Sequence, residues 1–429
     1  MTTNHLAEKI KIDIPSIDYQ EHTLENGLRV IMCKFGSIPV VALNTTFHIG
    51  SKDEDEDKTG MAHLFEHLMF EGSPNIPKGR FDEILNQNGG DSNAYTSWDS
   101  TSYYMTIPSH QLETAIWLDS DRINGFGISE ESLEIQKDVV YEEKLLSIDN
   151  SPYGTVEEES SKRLFKQSGY RWPIIGNMED LRKVNVADLK DFFERFYRPN
   201  NAVISLVGDI DYDKTLKLME KYYGSIKPGK EIIRRNFYEE SIEEEMRENI
   251  LDNIQLEGKF IFYRLPEMGT KDYYSMNILN GILSEGDSSR FYHELEYKDE
   301  LVSEIDANLY GMEKTSLFII SAIAMKGKSL EEIENKIDKI LNEIKDGKIN
   351  DDEIIKIKNR VETYYNSKRQ SIVSLADKFS SLKTFYNDCE KINFEILEYL
   401  TVSKSDIIET ANKYLNNNQR LILNYLPKK

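Results

Sequence analysis

The spacing of apolar residues predicts that the first half of the chain mixes strands with helices. Residues 27–33 and 40–48 are rich in β-branched and other apolar side chains, and we predict a strand for each. From Met61 to Phe70 the apolar positions follow the 3.6-residue period of a helix instead. Further predicted helices are 78–88, 110–124 (amphipathic), 129–146 (capped by Ser129) and 213–223, and further predicted strands are 92–107 (two short strands around Asp99) and 203–209. We therefore expect an α+β fold.

A charged segment divides the chain into two parts. Residues 226–248 contain Pro228 and Gly229, carry many charges and show no regular apolar period, so we predict a linker there. This linker separates a predicted domain at 1–225 from a second one at 249–429.

Short landmarks of the first part recur in the second, which indicates a tandem duplication. We also match the strand, turn and helix predicted over 316–341 with the segment 203–223. The sequence therefore predicts two homologous α/β domains. The repeated landmarks are Gly-Ser-Lys-Asp at 50–53 with Gly-Thr-Lys-Asp at 269–272, and Glu-Gly at 71–72 with Glu-Gly at 285–286.

Charge and composition narrow the range of functions. The chain has 53 lysine and arginine residues against 75 aspartate and glutamate residues, a formal net charge of −22. Nucleic acids and anionic membranes are bound by clusters of basic residues, so we expect neither as a partner. Two cysteines, Cys33 and Cys389, are too few for a disulfide framework. No apolar run reaches the ~18 residues of a membrane span, and the first residues lack a signal-peptide pattern. We expect a cytoplasmic protein, or a periplasmic one if an export signal has been removed.

The sequence His-Leu-Phe-Glu-His at residues 63–67 is the strongest candidate for chemistry. Residues four apart lie on one face of a helix, so His63 and His67 can bind a single metal ion. Glu66 lies on the same side, within reach of a metal-bound water. This order inverts the common His-Glu-x-x-His motif and is itself a metallopeptidase signature. The motif is therefore a candidate site for one zinc ion per chain, and a chance occurrence of these residues is the alternative that stays open at this point.

A catalytic zinc usually has three protein ligands and one open position for water. The helix predicted over 129–146 offers Glu142 and Glu143. Glu143 shares a face with Gln136 and Val139, and a carboxylate on a half-buried face needs a partner such as a metal ion. The alternative, that Glu143 is a surface charge like its many neighbours, stays open at this point.

The chemistry predicted for such a site is hydrolysis of an amide bond. Zinc lowers the pKa of water, and Glu66 is placed to accept the proton and return it to the leaving amine. The strand that contains Asn93, Ala94 and Tyr95 could offer its edge to an extended peptide by strand addition. Ordinary pairing within the sheet is the alternative for that strand.

The motif and its setting resemble the M16 family of zinc peptidases, the inverzincins, over nearly the whole chain. This resemblance implies that Glu143, about 76 residues beyond the second histidine, is the third zinc ligand, and that Glu66 is catalytic. It also implies two α/β units forming half of a clamshell, which pairs with another chain and cleaves peptides or unfolded segments. The matching segments are Leu24-Glu-Asn-Gly-Leu-Arg-Val, Gly50-Ser-Lys-Asp-Glu, Thr59-Gly-Met-Ala-His-Leu-Phe-Glu-His, Asn93-Ala-Tyr-Thr, Val139-Val-Tyr-Glu-Glu and Arg198-Pro-Asn-Asn-Ala.

Three positions depart from the pattern of that family. Gln136 stands where members often carry a second glutamate that assists the site, so its role is open. Glu296 and Ser303 replace an arginine and a tyrosine that contact the bound peptide in active members. We therefore expect a heterodimer in which this chain is the catalytic subunit and a homologous chain without the zinc motif supplies the arginine and tyrosine. The alternatives are a homodimeric peptidase, a scaffold subunit without activity and a peptide-binding chaperone.

Overall fold

Each half of the chain contributes one mixed β-sheet. The computed structural model describes residues 14–125 and 127–428. The strands of the first sheet are β1 (Gln20–Thr23), β2 (Arg29–Lys34), β3 (Val40–Phe47), β4 (Asp91–Thr96), β5 (Thr101–Pro108) and β6 (Ala202–Gly208). They lie in the order β1-β2-β6-β3-β5-β4. The strands of the second sheet are β7 (Met246–Asp252), β8 (Gly258–Leu265), β9 (Val302–Gly311), β10 (Ser316–Ala324) and β11 (Arg420–Pro427). They lie in the order β7-β11-β8-β10-β9.

Helices connect the strands in both halves. The first half has α1 (Met61–Leu68), α2 (Arg80–Gln87), α3 (Leu112–Asn124), α4 (Glu130–Lys144), α5 (Val156–Leu164), α6 (Met178–Lys183), α7 (Val186–Phe196) and α8 (Tyr212–Tyr223). The second half has α9 (Lys271–Ser284), α10 (Leu330–Lys345), α11 (Asp351–Lys368), α12 (Ile372–Phe385), α13 (Lys391–Thr401) and α14 (Lys404–Tyr414). The segments predicted from the apolar periods agree with these elements to within a few residues at each end.

The two sheets repeat one topology, which confirms the predicted duplication. β2 runs parallel to β6, as β7 does to β11, and the other neighbours in both sheets are antiparallel. The two orders match β11 with β6 and β10 with β5. The predicted match of 316–341 with 203–223 is therefore wrong, because β10 and α10 correspond to β5 and α3. A strand, a turn and a helix occur at both places, so the local pattern could not separate them.

Apolar side chains on one face of each sheet pack against helices of the same half. In the first half, Leu43 of β3 lies in a buried cluster with Phe65 of α1 and Ile116 of α3. In the second half, Ile320 of β10 lies in a cluster with Leu279 of α9. Burying a leucine, isoleucine or phenylalanine side chain stabilises a fold by about 1.5–3 kcal/mol, so these two cores hold the helices in place.

The opposite face of each sheet is covered by a helix from the other half. Helix α12 lies across β3 and β6 of the first sheet, where Leu375 and Phe379 pack with Val203. Helix α5 lies against β8 and β11 of the second sheet, where Leu164 packs with Leu423. Each of these helices follows the long helix of its own half, α4 or α11. The two halves therefore exchange equivalent helices.

The helix predicted as amphipathic over 110–124 is instead buried on nearly all sides. It begins at Leu112, after a 3₁₀ turn at Ser109–Gln111. Its charged residues Asp119 and Arg122 pair with each other in the core, with Arg122 Nε donating to Asp119 Oδ1 at 3.0 Å. In the sequence, two charged residues that pair in the core give the same pattern as charged residues on a solvent-exposed face, which is why the helix was predicted as amphipathic.

The segment predicted as a linker is only partly irregular. Residues 227–245 contain neither helix nor strand, whereas residues 246–248 begin β7. The domain limits drawn from the sequence stay predictions. Within residues 14–125 and 127–428, none of the helices combines the length and the apolar character that crossing a bilayer requires.

Candidate metal centre

Backbone geometry fixes the start of the helix that carries the histidine pair. Gly60 precedes α1 with a φ of 88°, in the left-handed region that favours glycine. The Glu54 carboxylate accepts hydrogen bonds from the backbone N–H groups of Gly60 and Ala62, at 2.7 Å each, and so caps the helix. Leu64 and Phe65 anchor α1 in the core. Its opposite side packs toward α4.

Helix α4 brings a carboxylate to that side. Ser129 caps it as predicted, because the Ser129 hydroxyl accepts a hydrogen bond from the Ser132 N–H at 3.1 Å. Val140 lies in the buried core of the first half, and Glu143 follows it by three residues on the neighbouring face. The helix then continues into a π-helical turn at Leu145–Asp149, close to the end predicted at residue 146.

Three predicted ligands meet between α1 and α4. His63 Nε2 lies 3.7 Å from Glu143 Oε1, and His67 Nε2 lies 3.4 Å from Glu143 Oε2. One ligand atom from each of the three residues lies within 4.8 Å of the other two. The side chains of His63, His67 and Glu143 are 12%, 22% and 41% exposed, so the cluster is partly accessible to solvent.

This donor set fits a zinc ion. A tetrahedral zinc with bonds of about 2.0–2.1 Å holds neighbouring donor atoms about 3.3 Å apart, close to the separations of Glu143 from the histidines. Burial, aided by the charge of His67, lowers the pKa of His63 to about 4, so its imidazole is neutral and can act as a ligand. Burial also lowers the pKa of His67, but the hydrogen bond and charge of Glu143 outweigh this effect and raise it. The hydrogen bond with His67 lowers the pKa of Glu143 in turn.

Glu66 lies beside the cluster and is partly buried. Its Oε2 accepts a hydrogen bond from the Thr96 hydroxyl at 2.6 Å. Burial raises the pKa of Glu66, and the Thr96 and His67 contacts oppose only part of the rise. A cavity of about 350 Å³ is lined by Glu66, His63 and Glu143 together with residues of β4. A carboxylate whose pKa is raised holds a proton more readily, which is the property that a general base needs.

Strand β4 borders the same cavity and ends the first sheet. It pairs with β5 on one side, and no described strand pairs with its other edge. Because side chains alternate along a strand, Ala94 and Thr96 lie on the side of α1, whereas Asn93 and Tyr95 lie on the side of α12. The three residues predicted from the sequence to bind substrate are therefore on an open edge beside the metal-ligand cluster. Such an edge can accept an extended peptide.

Two profiles of one peptidase family match consecutive parts of the chain. The profile described as insulinase (peptidase family M16) matches residues 30–177, which include the histidine pair and Glu143. The profile described as the peptidase M16 inactive domain matches residues 183–361. The chain belongs to the M16 peptidase family. The family predicted from the sequence motifs is thereby confirmed.

Relatives of this M16 chain include proteins named as zinc proteases. The zinc protease PqqE of Helicobacter pylori is 28% identical over 405 residues, which are 94% of this chain and 91% of the relative. The crystal structure of a protease from Helicobacter pylori aligns with a TM-score of 0.91 at 27% identity, covering 96% of this chain and 100% of that one. The periplasmic protease PqqL of Escherichia coli shares the fold, with a TM-score of 0.78 at 20% identity, and this chain covers 48% of its length.

Gln136 lies next to the cluster but outside it. Its Nε2 donates a hydrogen bond to Glu71 Oε1 at 2.9 Å. A hydrogen bond between Gln136 and His67 adds to the rise in the pKa of the imidazole. The Gln136 amide therefore links Glu71 to His67, which is a predicted ligand. The glutamate that the family pattern often has at this position would add a negative charge, whereas glutamine adds none.

The second half of this M16 chain has no comparable cluster among its described residues. Residues 277–281, which lie opposite the motif in the repeat, fall within the largely buried helix α9. Glu296 lies in a π-helical turn at Tyr292–Lys298, and the Ser303 hydroxyl on β9 donates to the Ile323 carbonyl at 3.3 Å. Neither residue offers the arginine or tyrosine chemistry that the family pattern has at these positions.

Three polar side chains around the site were not predicted from the sequence. They are Glu54, which caps α1, Thr96, which holds Glu66, and Asp377, which accepts a hydrogen bond from the Tyr95 hydroxyl at 2.5 Å. Strand alternation could have identified Thr96, because it lies two residues after Ala94 on the same face. Asp377 has no local signal, since it is 282 positions away from Tyr95.

Proposed function

We propose that the protein is a zinc-dependent endopeptidase that hydrolyses peptides or unfolded polypeptide segments, with one zinc ion per chain. The observation that carries this proposal is the meeting of His63, His67 and Glu143 within 4.8 Å of one another, with Glu66 beside them. Two imidazoles and one carboxylate are a donor set of catalytic zinc sites, in which a fourth position is open to water or substrate. The zinc proteases among the relatives support the same assignment.

Different side chains of the protein have separate roles in the proposed hydrolysis. His63, His67 and Glu143 would hold the zinc ion, which supplies Lewis acidity that acidifies water and polarises a carbonyl group. Thr96 engages Oε2 of Glu66, which leaves Oε1 as the oxygen that takes the proton of the attacking water. Glu66 then donates this proton to the nitrogen of the leaving amine as the peptide bond breaks.

Strand β4 is the proposed binding element for the peptide. A substrate that pairs with its open edge becomes an extended strand, so the main chain contributes affinity that does not depend on sequence. Asn93, Ala94 and Tyr95 lie along this edge, and Thr96 continues it to Glu66. The scissile carbonyl group is thereby delivered to the metal-ligand cluster. A folded substrate has few free backbone groups to offer, which favours peptides and unfolded segments.

We propose further that the active form is a heterodimer with a homologous M16 chain that lacks the zinc motif. Glu296 and Ser303 support this proposal, because they leave the second half without the residues that contact substrate in active members of the family. In the Escherichia coli PqqL structure, of which this chain covers 48%, one polypeptide is about twice as long as the matching unit. The mass of the purified protein in solution, alone and with its co-expressed homologue, tests this proposal against a homodimer.

Glu66→Gln tests the catalytic assignment, with Glu142→Gln as the matched control. Glu142 is exposed on the same helix as Glu143 and is not part of the cluster of His63, His67 and Glu143. We expect Glu66→Gln to keep its zinc and its affinity for peptides while it loses cleavage of an unfolded protein, whereas Glu142→Gln keeps all three. A scaffold subunit would bind no zinc. A peptide-binding chaperone would bind peptides equally well in both variants and in the wild type without cleaving them, and either result would refute the proposal.

A further inference from the structure

A carboxylate from the second half contacts the strand beside the candidate metal centre. Asp377, on α12, accepts hydrogen bonds at Oδ1 from the Tyr95 hydroxyl at 2.5 Å and from the Asn44 side-chain amide at 3.2 Å. Asn44 is on β3 and Tyr95 is on β4, with β5 between these two strands. One side chain of α12 therefore ties the outermost strand of the first sheet to an interior strand.

Attachment of α12 to the sheet does not depend on Asp377. Leu375 and Phe379 already bury their side chains against β3 and β6. The Ser380 and Ser205 hydroxyl oxygens also lie 2.7 Å apart, in hydrogen-bond contact between α12 and β6. Burial raises the pKa of Asp377, as expected for a carboxyl group held largely out of water. An apolar residue would hold the helix equally well, so the carboxylate calls for another explanation.

The position of Tyr95 on β4 supplies that explanation. The preceding residue, Ala94, and the following residue, Thr96, face α1, and Thr96 donates a hydrogen bond to Glu66. Tyr95 extends from the opposite face of the strand to Asp377. Because β4 pairs with β5 alone among the described strands, these side-chain contacts on its two faces limit how far its outer edge can move.

We propose that Asp377 is a positioning residue for peptide binding, acting through Tyr95 to hold β4 where an extended peptide can pair with its edge. This inference rests on the proposed function. Asp377 lies on the side of the sheet away from α1 and touches none of the metal-ligand cluster. Its loss therefore weakens binding of the peptide and leaves the chemical step nearly unchanged.

Steady-state kinetics of Asp377→Ala test this role on an internally quenched peptide that the wild type cleaves. We expect KM to rise about tenfold, because a hydrogen bond to a charged group is lost, while kcat stays within about twofold. Tyr95→Phe removes the same hydrogen bond from the strand side and should give a similar rise. The double variant should be no worse than the worse single variant, because the hydrogen bond between Tyr95 and Asp377 is already absent in each single variant.

Two further variants separate positioning from simple loosening of α12. Ser380→Ala removes a different polar contact of this helix, the one with Ser205 on β6, and should leave KM within about twofold of the wild type. Asp377→Asn keeps an acceptor oxygen and should restore most of the affinity that Asp377→Ala loses. An unchanged KM in Asp377→Ala, an equal rise in Ser380→Ala or additive losses in the double variant would overturn the proposal. If Asp377→Ala does not fold, Tyr95→Phe and Asp377→Asn give the same comparison.

Hydrogen exchange distinguishes failure of this inference from failure of the proposed function. Amides of β4 should exchange faster in Asp377→Ala than in the wild type, and should be unchanged in Ser380→Ala. If the wild type, assayed together with its co-expressed homologue, neither binds nor cleaves peptides but this difference appears, the peptidase assignment fails and the positioning of β4 stands. If β4 exchanges equally in the wild type and Asp377→Ala, the positioning role is wrong whatever the activity.

Discussion

Helix α1 of the first half and helix α9 of the second lie at equivalent places beside their sheets, yet among the described residues only α1 contributes to a cluster of side chains that could hold a metal ion. In α1 the apolar residues Leu64 and Phe65 enter the core, and the histidines meet Glu143 on the other side. In α9 most side chains are buried, and Gly281 lies against Ile357 of α11. The same topology thus supports a site in one half and close helix packing in the other.

Glu334 in the second half and Glu143 in the first differ in the groups that surround the carboxylate. In the second half, Glu334 of α10 accepts hydrogen bonds from Arg247 Nη1 at 2.8 Å and Arg420 Nη2 at 3.0 Å, and from the buried Lys259 ammonium group. These cations belong to the protein, so the carboxylate needs nothing from outside. In the first half, Glu143 meets two imidazoles, of which His63 is neutral, so the cluster has room for the cation that we propose it binds. Which half can bind a metal is therefore decided by what surrounds the carboxylate.

Of the changes considered, Glu143→Gln should have the largest effect on the difference in metal binding between the two halves, because it leaves the first half without its anionic ligand. We expect zinc affinity to fall by more than the ~10–100-fold typical of losing a supporting outer contact, and peptide cleavage to be lost with it. Competitive titration with a zinc-chelating dye measures the change. Glu142→Gln should keep one zinc per chain. Retention of zinc by Glu143→Gln would remove Glu143 from the site.

Phe379→Ala should show that a residue of the second half stabilises the first sheet. Its ring is fully buried with Val203 and its neighbours, so truncation should lower the free energy of unfolding by about 3–5 kcal/mol. Urea denaturation measures the loss. Ile355→Ala is the control, because Ile355 is 53% exposed on α11 and its truncation should cost less than about 0.5 kcal/mol. A loss below 1 kcal/mol for Phe379→Ala would mean that α12 is not part of the same cooperative unit.

The acid sensitivity of the fold should trace in part to Glu334. Burial alone would raise the pKa of Glu334, but hydrogen bonds from Arg247 and Lys259 outweigh it and lower the pKa to about 2 from the ordinary 4.5. A depressed pKa stabilises the folded state above pH 4.5, and this contribution is lost as the pH falls toward 2. We expect a loss of about 2 kcal/mol over this window that is absent in Glu334→Gln. Urea unfolding at stepped pH tests it, and equal pH dependence in both proteins would contradict it.

Gly281→Ala should have the smallest effect, confined to the packing of the second half. An added Cβ would lie 2.6 Å from Ile357 Cγ2, so we expect a loss of about 1 kcal/mol with zinc content unchanged. Thermal denaturation and metal analysis measure these two quantities. The double variant with Ile357→Val should recover part of the loss.

Gly60→Ala is the counterpart in the first half and should reduce zinc binding, because Gly60 has a φ of 88° and an added Cβ would lie 2.6 Å from the Ile175 carbonyl oxygen.

Much of the fold could be predicted from the sequence because its elements are encoded by local periodicity. The helix at 61–68, the buried strand at 202–208 and the cap at Ser129 all follow from residues close together in the chain. Sheet order and the exchange of α5 and α12 could not be predicted, since they depend on contacts between distant segments. The wrong match of 316–341 with 203–223 arose for this reason, because only the neighbouring strands in the sheet show that β11, and not β10, corresponds to β6.

The same distinction between local patterns and distant contacts applies to the candidate site. His63 and His67 are recognised by helical spacing, and Glu143 by its shared face with Gln136 and by the family resemblance. The structure adds their mutual distances, which no spacing could give, because α1 and α4 meet only in the folded chain. The anchoring of Tyr95 had no local signal at all.

The crossing over of α5 and α12 has a consequence for how the protein is made. All strands described for the first sheet have been synthesised once residue 208 has left the ribosome, but the helix that shields their second face arrives only with residues 372–385. Until then the apolar row of Ile31, Ala42 and Val203 faces water, and a nascent chain of this kind is vulnerable to aggregation during synthesis. The duplication thus produced two units that are complete only in each other's presence.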